Sequence, residues 1–214
     1  CDSLVITELY VNPLPIVTFI PIASVCAQSA PFTLSGGSPS PGTYTGTGVI
    51  LGQFNPVVAG VGTHTITFTH TDANGCTNSD STTVTVNPLP SVTLSAFTPV
   101  CVDAPAFQLA GGLPVGGSYS GPGVNSDSLY PAIAGSGSHT ITYTFSDSLG
   151  CTDSASSMIV INPIPTADIL QSTNVTCNGL TDGSATVTGS GGIIPYTYLW
   201  DNVPADIIAT ADGL

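Results

Sequence analysis

An all-β fold, built from small β-sandwich units in tandem, is what this sequence predicts. Three observations carry the prediction. Val, Ile, Thr, Gly and Pro dominate the composition, which suits strands and turns and not long helices. Apolar residues alternate with Thr or Ser in several stretches, the pattern of a strand with one buried face. One phrase also recurs: "GCTNSDSTTVTVNPLP" at 75–90, "GCTDSASSMIVINPIP" at 150–165, and "CDSLVITELYVNPLP" at the start of the chain.

The step of the repeat is 75 residues. It separates Asn12, Asn87 and Asn162, and Cys1, Cys76 and Cys151; Cys26 and Cys101, and His64 and His139, keep the same step. Residues 16–90 lie on 91–165 without a gap, which marks an array of like units, each long enough to own a core. Early in each unit stand "FTLSGG" or "FQLAGG", then "GTYTGTGV" or "GSYSGPGV", which read as short strands between Gly-rich turns. In "HTITFTH" His64, Ile66, Phe68 and His70 share one face, and Thr65, Thr67 and Thr69 the other; His139, Ile141, Tyr143 and Phe145 form the matching set. "DANG" (72–75) and "DSLG" (147–150) turn the chain into a last strand, whose inward pairs are Val84 with Val86 and Ile159 with Ile161. Several short strands in about 75 residues indicate a sandwich that resembles an immunoglobulin domain. The expected architecture is therefore tandem immunoglobulin-like β-sandwich domains in a linear array.

The text changes near Thr166. "NVTCNGLTDGSATVTGSGGIIPYTYLWDN" (174–202) belongs to a different module with its own alternation, Ala185 with Val187, then Tyr196, Tyr198 and Trp200. The expected organisation is the last strand of a preceding repeat at 1–15, whole repeats at 16–90 and 91–165, and an incomplete third module at 166–214. Asn-Pro-x-Pro between units fixes φ at two positions and favours extended neighbours, so the joints are expected to be stiff.

Charge narrows the function. The chain has 214 residues, no Lys or Arg, 13 acidic residues and a net charge of −13. Without cations it cannot neutralise phosphates, which argues against nucleic acid and anionic lipid surfaces as partners. The apolar stretch 16–27 is too short to span a bilayer and contains a proline. The chain is read as a segment of a longer secreted polypeptide, with any targeting signal outside it.

Cys177, Asp182-Gly183, Gly191-Gly192 and the run Pro195–Trp200 resemble the SprB repeat of Bacteroidota surface adhesins. The two 75-residue units are similar to the immunoglobulin- or PKD-like repeats that accompany it: Cys before "FxLxGGxP", then "YxGxGV", "AGxGxHTIT", "DxxGCT" and a closing "NPxP". The resemblance implies a very large protein exported by the type IX system and placed at the cell surface or outside the cell, acting in adhesion, gliding or matrix formation.

Six cysteines in an extracellular array imply disulfides. Two schemes stand open. Within repeats, Cys26 pairs with Cys76 and Cys101 with Cys151. An immunoglobulin topology, however, sets the first turn and the last hairpin at opposite ends of a domain. A strand of about six residues spans roughly 17–20 Å, whereas bonded Cα atoms lie about 4.4–6.8 Å apart. Between repeats, Cys26 pairs with Cys151, Cys101 looks beyond Leu214, and Cys1 and Cys76 look upstream. Cys1 and Cys177 belong to domains cut by the segment, and their partners are expected outside it.

Other candidates follow from chemistry. Asp-Ser before an apolar residue or Thr occurs five times and resembles the O-glycosylation sequon of Bacteroidota secreted proteins, which makes Ser3, Ser81, Ser128, Ser148 and Ser154 candidate acceptors; the same pair is also ordinary turn chemistry. Asn174-Val-Thr fits an N-glycan acceptor. Calcium is the one cofactor considered, with Asp72, Asp103, Asp147 and Asp182 as scattered candidate ligands; no DxDxDG run is present and no cofactor is expected. His64 and His139 read as strand-start hydrogen bonders, His70 as a packing position. Tyr196, Tyr198 and Trp200 are a core stripe or, alternatively, a sugar-stacking platform. One Glu, Glu8, and the lack of GxSxG or HExxH argue against an enzyme. The expected role is a rigid multi-domain rod in a surface or fibre protein, its partners being neighbouring repeats and possible identical chains. The alternatives are a glycan-binding module and a passive stalk for a distant enzyme.

Overall fold

The computed structural model describes residues 9–201 and 207–214. Cys1, Ser3 and Glu8, singled out above, lie outside the described residues. The chain divides into two compact units: Cys1–Pro90 with Ser146–Asp153, and Ser91–Phe145 with Ser154–Leu214.

The first repeat contains β1 (Thr18–Phe19), β2 (Val25–Cys26), β3 (Phe32–Thr33), β4 (Gly37–Ser38), β5 (Thr43–Gly46), β6 (Val49–Ile50), β7 (Gln53–Phe54), a helical turn α1 (Pro56–Ala59), β8 (Gly62–Thr71) and β9 (Thr77–Asn87). One sheet runs β2-β9-β8-β5; facing it are β3-β7-β6 and the pair β1-β4. β8 and β9 pair antiparallel along their whole length, whereas β2 joins β9 in parallel, Val25 opposite Val86 and Cys26 opposite Asn87. Both sides feed one core: Phe19, Leu34 and Phe54 meet Ile66, Phe68, Val84 and Val86. Burial of each such side chain stabilises the fold by about 1.5–3 kcal/mol. This is an immunoglobulin-like β-sandwich.

The second repeat copies the first 75 residues on: β10 (Thr93–Leu94), β11 (Val100–Cys101), β12 (Phe107–Gln108), β13 (Gly112–Leu113), β14 (Ser118–Ser120), β15 (Val124–Asn125), β16 (Ser128–Leu129), α2 (Pro131–Ala134), β17 (Gly137–Ser146) and β18 (Thr152–Asn162). Its core is Leu109, Leu129, Ile141, Ile159 and Ile161. The tip of the β17–β18 hairpin, Ser146–Asp153, belongs to the first unit.

The alternating Thr positions form the outer face of each long hairpin, where hydroxyls bond across the strands: Thr63 with Thr85 at 3.2 Å, Thr67 with Ser81 at 2.9 Å and Thr142 with Ser156 at 2.9 Å. A repeated device locks the inner layer. The Tyr44 hydroxyl accepts from Gly37 N at 3.0 Å, and Tyr119 accepts from Gly112 N at 2.8 Å. These tyrosines lie against Phe68 and Tyr143, ring centres 4.9 and 4.7 Å apart. A Cβ on Gly37 would sit 2.4 Å from the Phe68 ring, and on Gly112 2.6 Å from the Tyr143 ring, so glycine is required by space alone.

The third module contributes β19 (Thr166–Thr173), β20 (Ser184–Ser190) and β21 (Thr210–Asp212), an antiparallel sheet in that order. Tyr196, Tyr198 and Trp200 do not lie on a strand, contrary to the alternation reading. Their backbone follows Gly191 and Gly192, both with positive φ, and the side chains are held individually: the Tyr196 hydroxyl donates to Gly191 O, and Trp200 Nε1 donates to Ile208 O at 2.9 Å.

Candidate functional site

Cys26 ends the short strand β2, held beside the last strand of its own repeat: Ala27 N donates to Asn87 O at 2.9 Å. Cys151 follows the turn Asp147–Gly150. Asp147 Oδ1 accepts from Leu149 N and Cys151 N, both at 2.9 Å, and Asp147 N donates to Cys151 O at 3.0 Å, which closes the hairpin tip. The two sulfurs are bonded at 2.04 Å, with Cα atoms 5.5 Å apart and 125 residues between them in sequence. Cys151 is fully buried, and Gln28 Nε2 donates to Thr152 O at 2.6 Å beside it. The within-repeat pairs Cys26–Cys76 and Cys101–Cys151 are not formed. The reason is the sandwich itself: β8 and β9 carry the hairpin tip of a repeat a full strand length away from β2. Cys76, Cys101 and Cys177 are free thiols, Cys177 exposed and the other two partly covered.

Three of the four carboxylates named as calcium candidates, Asp72, Asp147 and Asp182, accept from backbone N–H groups. Asp72 repeats the role of Asp147: its Oδ1 accepts from Asn74 N and Cys76 N at 2.9 Å. Asp182 accepts from Thr176 Oγ1 at 2.5 Å and Thr176 N at 3.0 Å, and these bonds hold its carboxyl below the usual value. Asp103 is exposed in the turn after β11. Among the described residues, no group of three or more His, Cys, Asp or Glu side chains converges as a metal site.

His64 and His139 donate from Nε2 to Gly60 O at 2.8 Å and Gly135 O at 2.9 Å, tying the start of each long strand to the glycine that ends the preceding helical turn. His70 is buried, its Nδ1 on Pro41 O at 2.6 Å; in the second repeat the Tyr143 hydroxyl makes the comparable bond to Pro114 O at 2.6 Å.

The Asp-Ser positions differ. Ser81 is exposed on the outer hydroxyl face, and Asp80 Oδ2 accepts from Phe19 N at 2.8 Å to hold β1. Ser148 and Ser154 are exposed at and just after the hairpin tip. Ser128 is half-buried in β16, and Asp127 Oδ1 accepts from Tyr119 N at 2.6 Å. Asn174 is exposed in the loop after β19. Tyr198 and Trp200 line a shallow groove of about 290 Å³ with Ala167, Val187 and Leu199, while Tyr196 faces a separate one beside Pro165 and Cys101. Sequence reasoning missed the tyrosine–glycine lock; its signal was the Gly-Gly pair and the Tyr recurring seven residues apart in both repeats.

Residues 169–205 match the family model of the SprB repeat. No curated protein matches the chain. Among solved structures, it is similar to the Sidekick-1 immunoglobulin domains 1–5, with 13% identity, 91% of this chain and 48% of that one covered, and a TM-score of 0.27. It is also similar to the N-terminal four Ig domains of Dscam1 isoform 9.44, with 10% identity, 71% and 47% covered, and a TM-score of 0.24. The chain spans about half the length of these structures. The chain is a repeat protein of immunoglobulin-like sandwiches with a SprB-repeat match in its last module. Among the described residues, no helix is long and apolar enough to cross a membrane.

Proposed function

We propose that this chain is a force-transmitting segment of a large extracellular or cell-surface protein, a stiff rod that serves adhesion, gliding or matrix formation. The single observation that supports the reading most is the Cys26–Cys151 disulfide. It joins the first turn of one repeat to the last hairpin of the next, so two covalent links, the Asn-Pro-Leu-Pro peptide and the disulfide, connect the two repeats. Tension entering ahead of Cys26 passes across the sulfurs to Cys151 and leaves along β18. Residues 27–150 then lie inside a closed loop and need not extend when the ends are pulled. The uncharged hydroxyl faces and the lack of Lys and Arg fit a passive, protease-resistant surface. The reading assigns the chain no catalytic step and no cofactor.

The test is single-molecule stretching between handles at the two termini. Extended chain spans at most about 3.3–3.6 Å per residue, so the loop hides roughly 400–450 Å of contour. Oxidised molecules are expected to lack that length, and reduced molecules to release it in two steps, one per repeat. Equal contour lengths in the two conditions would show that the disulfide does not shield the repeats.

A further inference from the structure

We infer that Cys76 is the receiving half of a second cross-repeat disulfide, whose partner is the first-turn cysteine of the immunoglobulin-like repeat to which residues 1–15 belong. The inference rests on the stapled reading above and extends it upstream. Its first support is that Cys76 is built as Cys151 is built. Asp72 N donates to Cys76 O at 3.0 Å as Asp147 N does to Cys151 O, and each cysteine N–H donates to its own turn aspartate at 2.9 Å. The hydrogen-bond pattern of the hairpin tip that carries a bonded sulfur in one repeat is thus reproduced, bond for bond, around a thiol in the other.

The segment ahead of the first repeat independently marks where the partner must lie. In the first repeat Asn87 stands opposite Cys26, the cysteine that bonds Cys151. Seventy-five residues earlier Asn12 holds the corresponding place in the chain, at the end of a strand phrase that repeats 76–90. The Cys76 Sγ lies 4.0 Å from Asn12 O, and Asn78 Nδ2 donates to Pro15 O at 2.9 Å, so this segment is docked against the β8–β9 tip. A first-turn cysteine paired beside Asn12, as Cys26 is paired beside Asn87, meets the Cys76 thiol directly. Two thiols and a two-electron oxidant, such as a periplasmic dithiol oxidase, then yield the disulfide and two protons.

Cys101 supplies the contrast. It stands opposite Asn162 as Cys26 stands opposite Asn87, yet the groove it lines is shared with Gly192, Ile193, Pro195 and Tyr196 of the third module and not with a hairpin cysteine. Cys177 is exposed in the loop after β19.

The test inserts a second copy of residues 16–90, that copy carrying Cys76→Ser, after Pro15 in the full chain, followed by non-reducing peptic mapping at low pH. The expected result is Cys26–Cys151 together with a bond from the Cys26 of the inserted copy to the Cys76 of the original repeat. An alkylatable Cys76 alongside an intact Cys26–Cys151 would overturn the inference and leave the first disulfide, and the force reading built on it, standing. Should the lengthened chain not fold, the native material decides. Cys76 should be recovered joined to a peptide outside 1–214, whose cysteine follows a Val and precedes Phe-x-Leu-x-Gly-Gly by six residues. A free Cys76 there would likewise overturn it.

Discussion

Removing the Cys26–Cys151 bond should lower the first melting transition and do so in a way that identifies a cross-link. While one repeat stays folded, unfolding of the other releases a loop of roughly 65 residues in the oxidised chain. Chain-entropy closure of such a loop is worth about 4 kcal/mol, and closure of the full separation of 125 residues about 5. Nearly all of the stabilisation therefore falls on whichever repeat melts first, and under 1 kcal/mol on the second. At about 2.1 cal/mol/K per residue over roughly 75 residues, 4 kcal/mol corresponds to a fall of about 25 °C in the first transition. Calorimetry of Cys26→Ser, Cys151→Ser and the double variant measures it. Each single variant should show the full loss, and the double no more, because either change opens the same loop. A fall below about 5 °C, or losses that add in the double variant, would refute the cross-link argument and leave local packing as the role of the two sulfurs.

Four further outcomes are expected. A protease site inserted after Pro90 and cut once should leave a single species on a non-reducing gel and two fragments after reduction; separation without reductant would contradict the loop. Gly37→Ala and Gly112→Ala should each cost about 1–3 kcal/mol in urea titrations, since the added methyl meets the Phe68 or Tyr143 ring; an unchanged midpoint would show that the ring moves aside. Asp182, its carboxyl lowered by the Thr176 bonds, favours the folded loop above the ordinary value of 3.8 and loses that contribution only as pH falls through its lowered folded value. Carbon-detected NMR titration should place it below 3.8, and Thr176→Val should raise it. Where native material carries O-glycans, mass spectrometry should find them on Ser81, Ser148 or Ser154 before the half-buried Ser128; modification of Ser128 alone would separate exposure from acceptor choice.

Features that depend on near neighbours and on the repeat were legible in the chain's text. Strand faces follow from alternation, so Ile66, Phe68, Val84 and Val86 were readable as inward, and all four are buried. The turn aspartates Asp72 and Asp147 and the strand-start histidines were readable for the same reason: their partners lie within four residues. The tertiary structure decided what depends on distant segments meeting. Spacing left two cysteine schemes standing; only the parallel seating of β2 on β9, and the arrival of the Asp147–Gly150 turn 125 residues away in sequence at Cys26, selected one. It also decided where alternation misled. Tyr196, Tyr198 and Trp200 have strand spacing, but the positive-φ pair Gly191–Gly192 turns the chain out of the sheet, and their contacts come from carbonyls that spacing does not reveal. Periodicity reports which face a residue takes within an element; it carries no information on which element from another repeat will stand opposite.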